Sequence, residues 1–373
     1  MNNDGIPVGR IFGISVRIHI SWFIILGLMI WALTANFPIE WGTVTRVIAA
    51  LITSLFFFAS VLLHELMHSV VAIKNGLPVG AITLFVFGGI AQIAEEPRKP
   101  GVEFCVAVAG PLASMILGLI LLGVGFILPS RAEVVVVVIN WLGLINLTLG
   151  IFNLVPAFPM DGGRVLRSIV WGLTHNLRRS TRIASSISKV IAVIFIVGGI
   201  FLFFRTSYGF NGLWFAFIGW FLYSAASNSY QQLVLQQALQ GHAAREIMIQ
   251  DYPQVCPDMS VADLVNDAVL SGGKHCVVVA IDGRLQGIVT LQEIKSVSSS
   301  DRAICTAKQI MKPVNQLKIV GPDEDLATVM HLLAEQNVHQ VPVVDNGYLV
   351  GMIGRENLLA LINLKESHGS RSR

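Results

Sequence analysis

Residues 47–68 read VIAALITSLFFFASVLLHELMH, an uncharged apolar run that ends in two histidines and a glutamate. Such a run predicts a membrane-crossing helix, because about 20 apolar residues span the hydrocarbon core of a bilayer. His64, Glu65 and His68 would then lie on that helix, at membrane depth. Ionisable side chains in that environment are costly and are usually functional. The stretch therefore predicts a helical membrane protein with a functional site inside the membrane.

The composition indicates a membrane part followed by a soluble part. Hydrophobic residues make up 54% of the 373 residues and charged residues 13%, whereas a soluble globular domain carries roughly 25% charge. The deficit lies in residues 1–230, while residues 241–373 read as ordinary soluble sequence. A net charge of +3, without a basic aromatic patch, gives no indication of nucleic-acid binding.

Cysteine usage favours a reducing compartment for the soluble part. The four cysteines form no C-x-x-C pair, and three of them, Cys256, Cys276 and Cys305, fall in the soluble half. Residues 1–15 lack the pattern of a cleaved signal peptide, so we expect the first apolar run to be a retained helix.

Six apolar runs of roughly 20 residues predict six membrane spans. They cover about 17–36, 46–73, 103–128, 134–155, 187–204 and 209–227. Basic residues concentrate between spans two and three and between spans four and five, whereas the opposite loops offer only Arg46, Arg131 and Arg205. By the positive-inside rule, the N-terminus, the basic loops and the C-terminal soluble part are predicted to be cytoplasmic.

Residues 79–94, VGAITLFVFGGIAQIA, are too short to cross a membrane as a helix. Their β-branched and aromatic residues around Gly88-Gly89 predict two short strands joined by a glycine turn. Non-helical backbone at membrane depth must be buried in protein or line a cavity. The segment is therefore predicted to be a short hairpin that is buried in protein or lines a cavity, with a plain connecting hairpin as the alternative.

The H-E-x-x-H spacing places His64 and His68 at i and i+4, on one face of one helix, where both imidazoles can bind one zinc ion. Glu65 lies near the open coordination position, where it can take a proton from a water whose pKa zinc lowers to about 7. A catalytic zinc site needs a third protein ligand as well as an open position. The alternative is a pair of core histidines that hydrogen-bond within a helix bundle.

The candidate for the third ligand is Asp161, in the segment NLVPAFPMDGG at 153–163. Pro156 and Pro159 break the fourth helix just before Asp161, and the two glycines after it let the backbone approach closely. Asn153, at the start of the segment, is either a helix-capping residue or a donor to the substrate carbonyl.

The soluble half contains an internal repeat. Residues 244–248, AREIM, recur as AKQIM at 307–311, and GIVT at 287–290 recurs as GMIG at 351–354. Each copy reads as short helices around two apolar strands. Two copies of about 60 residues predict a paired α/β module, since a solenoid needs at least three repeats.

The pattern of His64, Glu65 and His68 followed by N-x-x-P-x-x-P-x-D-G at 153–162 resembles the site-2 protease family of intramembrane zinc metalloproteases. The resemblance covers residues 1–230, and the opening GRIFGI at 9–14 resembles a prokaryotic branch with a nucleotide-sensing tail. It implies one Zn²⁺ per chain, held by His64, His68 and Asp161, with Glu65 as the catalytic base. The location implied is the prokaryotic inner (plasma) membrane, with several passes through the lipid.

The family cleaves transmembrane segments of other proteins, often membrane-tethered regulators. By the resemblance, Phe87, Gly88 and Gly89 belong to its re-entrant hairpin and contact substrate, as Asn153 does. Ser114, after Gly110-Pro111, stands where some members have asparagine, which weakens a substrate-contact role there.

The two repeats resemble tandem CBS domains, at 245–300 and 307–365 after a linker helix at 231–244. Such pairs commonly bind adenine nucleotides (ATP, ADP or AMP) through a G-x-x-T/S-x-x-D segment. The resemblance implies nucleotide contacts from Thr290, Glu293 and Asn357, but the second copy has lost the hydroxyl at Gly354. The alternative is a module that serves homodimerisation alone.

The predicted fold class is a multi-span α-helical membrane protein, with six transmembrane helices, a re-entrant β-hairpin and a C-terminal α/β paired CBS module. The predicted function is intramembrane zinc proteolysis modulated by that module. A CBS-regulated transporter or channel is the alternative, and it would place polar groups along several helices rather than in one ligand-like set.

Overall fold

The computed structural model describes residues 5–86, 88–93, 97–205, 209–266, 276–298, 300–335, 338–358 and 360–361. The chain divides into two compact units, whose boundary lies between Leu233 and Val234. The first unit holds a small sheet and most of the apolar helices, and the second holds the two repeats.

The first unit opens with two antiparallel strands, β1 (Gly5–Ile11) and β2 (Ile14–His19), followed by helix α1 (Ser21–Asn36). The expectation that the first span is helical from about residue 17 is therefore wrong. β2 pairs in parallel with a later strand, and this pairing satisfies the backbone groups of residues 15–18 in a sheet instead of a helix.

The long helix α2 (Gly42–Lys74) follows, and it ends at Asn75-Gly76, where Gly76 has a φ of 77°. The predicted hairpin is present as β3 (Val79–Phe85) and β4 (Gly88–Ile93), which pair antiparallel. The strand order of the sheet is β1-β2-β3-β4, so β4 is an edge strand.

Five further helices complete the apolar part: α3 (Pro100–Ile127), α4 (Glu133–Asn153), α5 (Asp161–Thr174), α6 (Leu177–Arg205) and α7 (Gly209–Leu239). α3 and α4 pack closely, because a β-carbon at Gly118 would lie 2.8 Å from the carbonyl oxygen of Gly143. Small residues at such crossings are typical of helices that associate in lipid.

Within the described residues, four helices are long and apolar enough to cross a membrane: Ile39–Lys74, Pro100–Ile127, Glu133–Asn153 and Leu177–Arg205. α1, with 16 residues, is a shorter apolar helix. Large apolar side chains such as Phe126, 91% exposed, and Phe204, 81% exposed, point outward from the unit. The first unit is thus helical and apolar, as expected of a membrane protein, with four candidate spans among the described residues, and the six-span arrangement stays a prediction.

The second unit contains a mixed sheet with the order β5-β6-β7-β10-β9, and β8 pairs with β7. Its first repeat comprises β5 (Gln254–Val255), α8 (Val261–Leu264), β6 (Cys276–Ile281), β7 (Arg284–Thr290) and α9 (Leu291–Ser296). The second comprises α10 (Ala307–Ile310), β8 (Lys312–Pro313), α11 (Leu326–Glu335), β9 (Gln340–Asp345) and β10 (Tyr348–Gly354).

The two repeats exchange their first segments. Ala244 is buried in the core of the second repeat, with Leu326 and Val343, whereas Ala307 is buried in the core of the first, with Val261 and Val289. The end of α7 takes part in the same exchange, since Leu239 is fully buried among residues of the second repeat. The core of each repeat is therefore completed by the segment that precedes the other repeat in the chain.

Candidate metal centre and nucleotide cleft

Two imidazoles and one carboxylate meet inside the first unit. His64 and His68 lie one turn apart on α2, each 4% exposed, with their Nε2 atoms 3.2 Å apart. Oδ2 of Asp161, the first residue of α5, lies 3.2 Å from each of these nitrogens. The structure therefore brings together the three ligands that the sequence suggested, although 97 residues separate His64 from Asp161.

The spacing of these three atoms suits a zinc ion. Tetrahedral zinc with bonds of about 2.0–2.2 Å to nitrogen and oxygen places its ligand atoms roughly 3.3–3.6 Å apart. The observed separations of 3.2 Å are close to that range. Two neutral imidazoles and a carboxylate are also a common donor set of catalytic zinc sites. The residues present therefore fit the metal that the resemblance implies.

A short loop between α4 and α5 delivers Asp161 to the histidines. A β-carbon at Gly163 would lie 2.7 Å from the backbone nitrogen of Phe158, and one at Gly162 would collide with the carbonyls of Leu154 and Val155. The backbone N–H of Phe158 donates to Oγ of Ser188 on α6 at 2.9 Å. The two glycines thus permit the tight return that the sequence predicted.

α3 supplies the outer partners of both histidines. The carbonyl of Val106 accepts a 2.6 Å hydrogen bond from Nδ1 of His68. Because a carbonyl only accepts, Nδ1 carries the proton, and Nε2 keeps its lone pair for a metal. Oγ of Ser114 lies 2.9 Å from Nδ1 of His64. Such partners set the tautomer and ring orientation of ligand histidines.

The sequence alone does not predict these contacts of α3 with the two histidines. Val106, Gly110 and Ser114 are spaced by four residues along α3, so they share one helix face, and all three are buried. The sequence indicates at most a weak substrate contact for Ser114, whereas the structure places its Oγ against His64, a metal-ligand candidate. The repeated spacing of small residues next to Pro111 was the signal that could have found this face.

Glu65 lies against the edge strand of the sheet. A β-carbon at Gly89 would lie 2.5 Å from Cγ of Glu65, and the Glu65 carboxylate accepts a hydrogen bond from the backbone of Ala91. Gly88, with a φ of 126°, opens β4 opposite Phe85. Phe87 lies outside the described residues. Asn153 is the last residue of α4 and is half-buried.

The second unit contains a cleft of about 640 Å³ between the two repeats. Residues from both repeats line it: Cys276, Ile288, Thr290, Leu291, Gln292, Lys295, Lys312, Leu317, Val338, His339, Gln340, Gly354, Arg355 and Glu356. The lining contains three cationic side chains, Lys295, Lys312 and Arg355, and one acidic side chain, Glu356. The cleft is thus suited to an anionic ligand.

Two of the predicted nucleotide contacts hold the backbone at this cleft. Glu293 accepts hydrogen bonds from the N–H of Thr290, at 2.9 Å, and from its hydroxyl, and its Oε1 lies 3.1 Å from Nζ of Lys312. Burial alone would raise the pKa of the Glu293 carboxyl, but these partners hold it below its ordinary value. Asn357 accepts from the N–H of Gly354 at 2.8 Å. Thr290 lines the cleft itself.

The chain is similar to known proteins along nearly its whole length. The model of peptidase family M50 matches residues 52–133 and 129–198, and that of the CBS domain matches 244–300 and 307–364. A Synechocystis sp. protein, provisionally named zinc metalloprotease sll0528, is 34% identical over 96% of this chain and 95% of its own length. Zinc metalloprotease MJ0392 of Methanocaldococcus jannaschii is 30% identical over 98% of each chain. A solved site-2 protease from the same organism is 32% identical, over 61% of this chain and 95% of that chain, with a TM-score of 0.42.

Proposed function

We propose a mechanism for this chain on the premise that it belongs to peptidase family M50, the site-2 protease family, and is a zinc metalloendopeptidase with a tandem CBS pair. The resemblance seen in the sequence is thereby confirmed, and the peptidase interpretation is favoured over a CBS-regulated transporter or channel. The observation that carries the proposal is the mutual 3.2 Å spacing of the ligand atoms of His64, His68 and Asp161.

In this proposal, His64, His68 and Asp161 hold one zinc ion. When bound, zinc acts as a Lewis acid that polarises a peptide carbonyl and lowers the pKa of a bound water molecule to about 7. Val106 and Ser114 keep the two imidazoles oriented toward the metal position. The remaining steps of the reaction are carried out by side chains and backbone groups of the chain itself.

Glu65 is proposed as the general base. It takes a proton from the water that attacks the scissile carbonyl and returns it to the amine nitrogen as the C–N bond breaks. Its position next to the histidines in sequence and its contact with Ala91 of β4 support this role. Asn153 is proposed to donate to the substrate carbonyl.

The substrate is proposed to be a transmembrane segment of a membrane-tethered protein, bound in an extended form. A helix shields its own backbone, so the substrate helix must unwind before one of its peptide bonds can be cut. β4 is an edge strand and Gly89 lies against Glu65, so a substrate strand added to β4 would run beside the base. Gly88, Gly89 and Phe87 are proposed to form this substrate edge.

Six spans, with both termini cytoplasmic, are proposed for the inner (plasma) membrane of a prokaryote. The N–H of Val86, the residue after β3, donates to Oγ of Ser21 at 3.2 Å, so the end of β3 lies beside the start of α1. Exposed aromatic residues such as Trp214, Phe217 and Trp220 support α7 as a span. The basic residues between 74 and 99, and those between 164 and 189 on α5 and the start of α6, support the orientation.

The cleft in the second unit is proposed to bind an adenine nucleotide, with phosphates among Lys295, Lys312 and Arg355. Thr290 is proposed as a direct contact, and Glu293 and Asn357 as ribose contacts once their capping bonds rearrange. Homodimerisation through the CBS pair is proposed as well. Nucleotide binding is proposed to change proteolytic activity, because a ligand that favours one arrangement of the repeats shifts the population of that arrangement.

Glu65→Gln is the direct test of the reaction. The variant should fold and retain zinc, because Glu65 is a base and not a ligand. Its cleavage of a transmembrane substrate should fall by about 10²–10⁴-fold. Fragments of membrane proteins are compared between cells with wild-type and variant enzyme, and zinc is measured in both purified proteins. Cleavage at the wild-type rate would exclude the role, and zinc retained by a His64→Ala, His68→Ala variant would exclude the centre.

A further inference from the structure

α3 carries a buried carboxylate that the reaction described above does not use. Glu103 lies in the first turn of α3 and is fully buried. Its Oε1 accepts a 2.6 Å hydrogen bond from Nε of Arg167 on α5 and also pairs with Nη2 of the same guanidinium. The Arg167 side chain is only 11% exposed. The pair therefore joins α3 to α5 through charge-assisted bonds that are removed from water.

Folding stability alone does not explain a pair of this kind. The cost of removing two charges from water can exceed their attraction, and apolar side chains of similar volume often join buried surfaces at least as well. A planar guanidinium with two donors on one carboxylate oxygen adds direction, which apolar contacts lack.

Both partners lie within two helical turns of the metal centre. Arg167 follows Asp161 by six residues on α5, and Glu103 precedes Val106, whose carbonyl holds His68, by three residues on α3. The same turn of α3 thus holds both the helix that carries Asp161, through Glu103, and the imidazole of His68, through Val106. A sliding or rotation of α5 against α3 would change the distance from Asp161 to His68.

Arg167 also contacts the loop that leads into Asp161. Its guanidinium lies over the ring of Phe158, 5.9 Å from the centroid, and the N–H of Phe158 is bound by Ser188. The Arg167 side chain therefore restrains the chain after Asp161, by binding Glu103, and the loop before Asp161, by contacting Phe158.

We propose that Glu103 and Arg167 are positioning residues that set the separation of Asp161 from the two histidines, and thereby the affinity of the centre for zinc. The inference rests on the zinc centre proposed above. Neither residue contacts the ligand atoms, so the pair acts through the helices and the loop. Loss of the pair should loosen Asp161 without removing any ligand.

The test is the zinc affinity of the purified full-length protein, measured by competition with a chromophoric chelator. Glu103→Gln and Arg167→Met should each weaken zinc binding by about 10–100-fold, the usual effect of losing a partner that orients a metal ligand. Arg167→Lys keeps the charge but not the planar fork, so a smaller loss is expected. The exchanged pair Glu103→Arg, Arg167→Glu should bind zinc more tightly than either single variant.

A spectroscopic measurement separates positioning from a general loss of stability. With Co²⁺ in place of zinc, the visible absorption bands report the ligand geometry, and they should shift in Glu103→Gln and Arg167→Lys. Ser185→Ala is the matched control, because Ser185 is 3% exposed and donates to the carbonyl of Ala226 at 2.7 Å, so its bond links α6 to α7 and not α3 to α5. It should leave both the affinity and the spectrum unchanged.

Two results would overturn the inference, and they are distinguishable. If wild type binds zinc and the folded Glu103 and Arg167 variants match it in affinity and cobalt spectrum, the pair has only a structural role. If a His64→Ala, His68→Ala variant binds zinc as tightly as wild type, the zinc centre itself is wrong and the inference falls with it.

Discussion

At the residue scale, the metal centre depends on a position that has no side chain. A β-carbon at Gly110 of α3 would lie 2.7 Å from Nε2 of His64 and 2.6 Å from Cε1 of His68. Both histidines are buried, so they have little room to move away. The glycine thus lets α3 approach α2 closely enough for Val106 and Ser114 to reach the imidazoles.

Gly110→Ala should therefore displace the histidines and lower both zinc content and proteolysis. Inserting a methyl group into a well-packed site typically costs about 1–3 kcal/mol, and here the displaced atoms are the proposed ligands. Zinc is measured by elemental analysis of the purified protein. Gly123→Ala on the same helix is the control, because its β-carbon would meet nothing within 4 Å. A zinc-loaded, fully active Gly110→Ala protein would contradict this account.

At the element scale, the small sheet places its edge strand β4 against Glu65, the proposed base. β4 pairs with β3 on one side, through Ile90 opposite Thr83 and Gly89 opposite Leu84. Its other side is the end of the sheet, and the backbone of Ala91 in the same strand donates a hydrogen bond to the Glu65 carboxylate. This arrangement underlies the proposal that β4 contacts both the substrate and Glu65.

Proline at Ile90 should reduce cleavage while zinc stays bound. Proline removes a backbone donor and fixes φ, so it disrupts a strand without touching the histidines or Asp161. Ile90→Val is the matched control, because Ile90 is 40% exposed and valine suits a strand. Cleavage of a transmembrane substrate and zinc content are measured for both variants. Equal activity of the two would favour the plain connecting loop over a substrate edge.

At the scale of the whole molecule, one helix belongs to both units. α7 runs from Gly209 to Leu239, across the boundary after Leu233, and its last residues are buried in the core of the second repeat. Gly241, just beyond it, donates to Asp325 of that repeat at 2.8 Å. The second repeat therefore holds the C-terminal end of the last apolar helix in its own core.

Adenine nucleotide should bind the full-length protein and change its rate of cleavage. Calorimetry with ATP, ADP and AMP measures binding, and Thr290→Ala combined with Lys312→Ala should weaken it. Lys308→Ala is the control, since Lys308 is exposed and does not line the cleft. If none of the nucleotides binds below millimolar concentration, the module is better explained as a dimerisation element.

Several features followed from local spacing in the sequence. Two histidines four residues apart share a helix face whatever surrounds them, and a run of apolar residues must be buried in lipid or protein. The β-branched residues on both sides of a glycine turn likewise predicted the β3–β4 hairpin, which the structure contains. Such features depend on neighbours within one or two turns, so the sequence displays them directly.

Contacts between distant elements could be decided only by the folded chain. Ser114 reaches His64 across 50 residues and Arg167 reaches Glu103 across 64, and no periodicity links those positions. The apolar run predicts a helix from about residue 17, but pairing with β3 keeps residues 15–18 in strand β2. The exchange of Ala244 and Ala307 between the repeats has the same origin. Packing selects among many pairings that are equally compatible with local sequence, because the free energy of each depends on all the surfaces that it buries together.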